Sequence, residues 1–169
     1  MANRDYLTRL HNRRYLFQAV EPLYAEALAG KRDLAVAMID ADHFKRINDE
    51  HGHIVGDEAL KRIAKVLRKG LARTGIVTRY GGEEFVCVIN VGDPARAAES
   101  FEKIREDIAA IELKSNGQRV SLTVSIGVTT ALGGSFADMI ELADQAMYRA
   151  KESGRNQVVD LSPDNVDLQ

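Results

Sequence analysis

Leu34-Ala35-Val36-Ala37-Met38-Ile39, followed at once by Asp40-Ala41-Asp42, is the stretch on which the fold turns. An alternating pattern would mark a strand with one wet face; an unbroken apolar run this short instead fits a central strand covered on both faces. Working outward, strand-like runs at Ile76 to Tyr80 and Phe85 to Asn90 flank Gly81-Gly82-Glu83-Glu84, and glycines at so short a junction predict a β-hairpin. Asn12 is placed to cap a helix from Arg13 carrying Leu16, Val20, Leu23, Ala27 and Leu28, which Pro22 is expected to bend or interrupt. Further helices are predicted from Asp57 to about Arg73, from Asp93-Pro94 to about Ile111, and from Phe136 to about Ser153, where Gly154 sits as a C-terminal cap. A strand is predicted over Val120 to Thr130. Strands and helices interleave, so the fold class is α/β or α+β around one mixed sheet.

The chain has 169 residues, 45% apolar and 28% charged, which suits one globular domain with a packed core. We expect a single domain over residues 1–169, with its core at about 4–158 and residues 159–169 as a loose tail. The net charge of −2 lacks the positive field that long nucleic acids attract, so a polymer partner is disfavoured. Cys87 is the only cysteine, which excludes an internal disulfide and a cysteine zinc cluster and makes the cytoplasm the expected compartment. No apolar run approaches the roughly 18 residues of a membrane span, and Met1 to Tyr6 does not read as a signal peptide. Motif-like residues begin almost at once, as expected of a module belonging to a longer protein.

Two places are chemically anomalous. A doubly buried strand running into Asp40 and Asp42 sets carboxylates against a dry core, which calls for a positive partner or for solvent at the strand end. At the hairpin tip, Gly81 and Gly82 let another molecule approach the backbone, while Glu83 and Glu84 add acids that no turn requires. Brought together, Asp40, Glu83 and Glu84 form an all-oxygen set suited to Mg²⁺, whose shell is usually completed by phosphate. Lys45, Lys151 and Arg155 are candidate phosphate contacts; the last two are four residues apart and are expected to share a face at the end of the last helix, where cations also suit the macrodipole. Between Phe44 and Asp57, Asn48 offers an amide and Asp57 a carboxylate, a pair able to select guanine over adenine. Asp57 as a plain helix N-cap is the competing reading. His51 and His53 lack a third ligand at zinc spacing, and no nucleophile motif or P-loop is present.

Arg79-Tyr80-Gly81-Gly82-Glu83-Glu84-Phe85 resembles the signature of GGDEF domains, the diguanylate cyclases, in its Glu-for-Asp form. Further blocks agree in order: Asp5 to Arg14 resembles the family's opening motif, Asp40 to Lys45 with Asn48, Gly52-His53 and Gly56-Asp57 its metal and guanine segment, and Ala143-Asp144, Tyr148 to Lys151 and Gly154 to Asn156 its closing motif. The resemblance implies a mixed, mainly antiparallel sheet flanked by helices, like those of nucleotidyl cyclases and polymerase palms. It also implies condensation of two GTP into cyclic di-GMP with release of pyrophosphate across a homodimer. By the same carry-over, Asp40, the Ala41 carbonyl, Glu83 and Glu84 hold Mg²⁺, with Mn²⁺ as a substitute, and Glu83 and Glu84 are catalytic. Asn48 and Asp57 bind guanine with His53 nearby, Phe44 and Gly82 line the substrate site, and Lys45, Lys151 and Arg155 hold phosphates. An inactive domain that binds GTP or cyclic di-GMP as a regulatory module is the alternative. One departure stands out: the family's inhibitory Arg-x-x-Asp falls on Ala72 and Gly75, so feedback through that site is expected to be absent or weak.

Overall fold

The computed structural model describes residues 2–163. Its main sheet has the order β1-β3-β4-β2-β7-β8, formed by His11–Asn12 (β1), Leu34–Ala41 (β2), Gly75–Arg79 (β3), Glu84–Asn90 (β4), Val124–Thr129 (β7) and Val158–Asp160 (β8). The inner pairings β3–β4, β4–β2 and β2–β7 are antiparallel, and the outer pairings β1–β3 and β7–β8 are parallel. Leu113–Ser115 (β5) and Gln118–Val120 (β6) form a separate hairpin.

All eight residues of β2 are buried, as its apolar run requires. Ala35, Ala37 and Ile39 share one core with α2 (Phe44–His51), α3 (His53–Leu71) and α4 (Ala97–Ala109), through Ile47, Leu60, Ile63, Leu67 and Phe101. Val36 and Met38 face the other core, beneath α1 (Arg13–Leu28) and α5 (Phe136–Glu152), with Leu16, Val20, Met139, Ala143 and Met147. This sandwich matches the sheet flanked by helices that the resemblance implied. Burying a Leu- or Ile-sized side chain contributes roughly 1.5–3 kcal/mol, so the two apolar layers dominate the stability of the strand that ends in Asp40.

Several expectations are corrected. Pro22 neither breaks nor ends α1, because it and Gln18, whose carbonyl it leaves without an intrahelical donor, lie on the exposed side while Leu16, Val20 and Ala27 anchor the buried one. The helix expected from Asp57 begins four residues earlier, at His53, and a helix beyond those expected precedes it: His43, with φ 53°, turns the chain into α2, and Gly52, with φ 88°, turns it again into α3. The predicted strand Val120 to Thr130 divides into β6 and β7. Of the expected loose tail, residues 159–162 are held: β8 pairs with β7, Leu161 N donates to Val128 O at 2.8 Å, and Leu161 and Ser162 are buried. Residues 164–169 lie outside the described residues.

Candidate active site

The register of the sheet brings the two acidic stretches to one end. Asp40 is the cross-strand partner of Glu84, and Ala41 N–H donates to the Glu83 carbonyl at 3.2 Å. Asp40 is only 5% exposed, whereas Glu83 and Glu84 are half-buried and Gly81 and Gly82 are open to solvent. Burial pushes the Asp40 carboxyl up to about 6, partly opposed by the charge and hydrogen bond of Lys151 and reinforced by the negative charges of Glu83 and Glu84. Lys151, in the last turn of α5, sets Nζ 3.2 Å from Asp40 Oδ1.

These groups suit a hard divalent ion in kind, since carboxylates and a backbone carbonyl are the oxygen donors Mg²⁺ and Mn²⁺ take. Burial and the two further acids leave the Asp40 carboxylate only partly compensated by Lys151. Among the described residues, however, no three acid, imidazole or thiol side chains are gathered as a ready-made metal cage. Lys151 is the cation beside Asp40.

The proposed guanine contacts lie on the α2–α3 corner. Asn48 Oδ1 is buried and has no hydrogen-bond partner among the described residues, and Gly56 makes room for it: a Cβ at position 56 would fall 1.8 Å from Asn48 Oδ1 and 3.3 Å from Phe44 Cζ. Phe44 is half-buried against the core, and Lys45 is exposed on α2. Asp57 is not an N-cap. Gly52 occupies that position, and Asp57 stands exposed within α3, as does His53 at its start. Its carboxylate is therefore not spent on capping.

Arg155 does not share a helical face with Lys151. The helix ends at Glu152, and Arg155 and Asn156, with φ of 63° and 47°, form a left-handed turn beyond it. The side chain of Arg155 is exposed.

Two structural contributors carried no assigned role in the sequence. The Arg79 guanidinium donates to the carbonyls of Gly81 (3.2 Å) and Gly82 (2.8 Å from Nη2) while pairing with Asp5 at 3.2 Å, so it stiffens the turn from beneath. Thr8 N–H and hydroxyl hold the other side of Asp5 at 2.8 and 2.7 Å, and with Arg79 they keep its carboxyl below the ordinary range against a desolvation that would raise it. Asp42 binds Thr123, Ser125 and the Asn156 amide. A cation next to a glycine pair, and a second acid left over from the metal set, were the available signals.

A buried strand tipped with an acid, facing a glycine turn tipped with two more, closes one end of an α+β domain built on a mainly antiparallel sheet flanked by helices. The chain belongs to the GGDEF family: its sequence matches "Diguanylate cyclase, GGDEF domain" over residues 2–157. It is 41% identical over 155 residues to diguanylate cyclase DgcP of Pseudomonas aeruginosa, covering 91% of this chain and 23% of that protein. The GGDEF domain of DgcB from Caulobacter crescentus, solved with c-di-GMP, superposes with a TM-score of 0.88 at 34% identity, covering 95% of this chain and 96% of that one. An active GGEEF domain of a diguanylate cyclase from Vibrio cholerae gives 0.80 at 32% identity, covering 88% and 96%. The chain spans 23%, 46% and 34% of the length of three curated relatives it matches. Among the described residues no helix is long and apolar enough to cross a membrane.

Proposed function

We propose that the chain is an active diguanylate cyclase, condensing two GTP into cyclic di-GMP and two pyrophosphates. The observation that carries this reading is the meeting of Asp40 with the Glu83-Glu84 turn at one end of the sheet, beside Lys151. Asp40, the Ala41 carbonyl, Glu83 and Glu84 would hold Mg²⁺ or Mn²⁺, which supplies charge neutralisation on the triphosphate. Asn48 and Asp57 bind the guanine edge, with His53 and Phe44 beside them. The bare backbone at Gly82 admits the nucleotide, and Lys45, Lys151 and Arg155 take the phosphates, Lys151 leaving Asp40 to do so. In each half-reaction the 3′-oxygen of one GTP forms a bond to the α-phosphorus of the other, the bond from that phosphorus to the bridging oxygen breaks, and pyrophosphate leaves. Glu83 accepts the hydroxyl proton. One domain presents one GTP, so two domains face each other and exchange roles.

The alternative, a regulatory module that binds GTP or cyclic di-GMP without turnover, draws on the Lys151–Asp40 pair, which leaves the acids without a preformed cage. Turnover separates the two. With GTP and Mg²⁺, chromatography should reveal cyclic di-GMP, with Glu83→Gln slower by at least ~100-fold and ATP unconverted. Equal use of ATP would remove Asn48 and Asp57 from base recognition. An unimpaired Glu83→Gln enzyme would reject the metal and base roles, and absence of product at every protein concentration would favour the regulatory module.

A further inference from the structure

Asp42 is the acid of the Asp40-Ala41-Asp42 run that the catalytic reading leaves unused. It is 5% exposed, and its carboxylate accepts from Thr123 Oγ1 at 2.7 Å, from Ser125 Oγ at 2.6 Å and from Asn156 N–H at 3.0 Å. None of these donors is a cation; hydrogen bonds hold the carboxylate, the arrangement a buried acid needs. Its own N–H donates to the Thr123 carbonyl at 2.9 Å. The side chain thus ties three segments together: the end of β2, the start of β7, and the turn after α5.

That turn is held in a conformation L-residues adopt reluctantly, because Arg155 and Asn156 are both left-handed and neither is glycine. Strain of this kind persists only where neighbours over-determine it. Here Arg155 N–H donates to Ala150 O at 2.9 Å, Gln157 Nε2 donates to Arg155 O at 3.0 Å, and Arg105 Nη1 donates to Asn156 Oδ1 at 2.8 Å. Of these restraints, the Asn156 N–H bond to Asp42 is the one that refers the turn to the strand carrying Asp40. We propose that Asp42 is a positioning residue, which fixes the Arg155 turn against the acidic end of β2 and so sets the distance between the metal acids and a phosphate-binding guanidinium. This rests on the proposal that Arg155 grips the triphosphate.

The test is a double-mutant cycle in the full chain with Asp42→Ala, Arg155→Ala and the pair, reading kcat and KM for GTP and the affinity for a GTP analogue whose α,β-bridge is methylene. If Asp42 acts through Arg155, each single change raises KM and weakens the analogue by about 10-fold, and the pair is within ~2-fold of Arg155→Ala alone. Asp42→Asn, whose carbonyl oxygen can still accept from Thr123 and Asn156 while its amide turns to Ser125, should recover most of the lost analogue affinity. Should Asp42→Ala fail to fold, Thr123→Val and Ser125→Ala, each removing one hydroxyl from the clamp, enter the cycle in its place. Factors that multiply, or a lowered melting temperature with unchanged analogue affinity, would mean that Asp42 only stabilises the fold. An Arg155→Ala chain that binds the analogue normally would take Arg155 out of the substrate site and both readings with it.

Discussion

Asp40 shows what a buried carboxylate does to its own fold. Its pKa is shifted upward, to about 6 from an ordinary 3.8, chiefly by burial, with Lys151 offsetting only part of the penalty. A folded-state pKa above the unfolded one means that ionisation opposes folding. The loss is complete above about pH 6 and is relieved as pH falls toward 4. Asp40→Asn should therefore raise the melting temperature of the metal-free protein at pH 7.5 by several degrees, equivalent to roughly 1–3 kcal/mol, while abolishing turnover. Calorimetry at pH 7.5 and pH 5 checks this, since the advantage must shrink at pH 5 as wild-type Asp40 takes up its proton. A variant less stable than wild type at both values would mean that the Lys151 pair outweighs desolvation. On the proposed metal role of Asp40, divalent-ion binding should weaken below about pH 6, because the proton and the ion would compete for one carboxylate.

Among the elements, the close approach of β7 and α5 decides where Lys151 stands. Gly127 makes it possible: a Cβ there would lie 2.1 Å from both Ala143 O and Met147 N, backbone atoms that cannot swing aside. Gly127→Ala should destabilise by about 3 kcal/mol, read from the urea midpoint, whereas Gly92→Ala, whose added carbon would meet nothing within 4 Å, should be nearly neutral. Equal midpoints for the two variants would deny that α5 is seated on β7 through this glycine. Elements that bury a face declared themselves in the sequence: β2 through its unbroken apolar run, the β3–β4 hairpin through its glycines, and α5 through Met139, Ala143 and Met147 at helical spacing. Elements fixed by tertiary context did not. Polar α2 buries only Ile47, too little apolar periodicity to mark a helix, and its entry through a left-handed His43 leaves no trace in the hydrophobic pattern. The strand β8 has three half-buried residues and exists because β7 offers it an edge. At the site, residue types were legible, but the partners were not. No spacing rule brings Lys151 to Asp40 or Asn156 to Asp42.

At the scale of the whole molecule, the proposed chemistry needs more than one molecule. A single 169-residue domain with one Asn48–Asp57 corner and one acidic sheet end has room in its mechanism for one GTP, so the attacking hydroxyl must come from a second copy. In dilute solution the rate should rise with about the second power of enzyme concentration, falling to the first power once the domains are paired. Initial rates measured across protein concentration at saturating GTP and Mg²⁺ give this order directly, and first-order behaviour throughout, down to concentrations where sedimentation finds only monomer, would rule out the two-domain scheme. With feedback through the inhibitory pair expected to be absent or weak, added cyclic di-GMP that competes at the GTP site should raise KM without lowering kcat. Position 72 is alanine, and at position 75 a Cβ would fall 1.8 Å from the Val88 carbonyl, so the backbone has no space for the aspartate of an inhibitory pair. A fall in kcat with product at fixed dimer content would reveal a separate inhibitory site built from other residues.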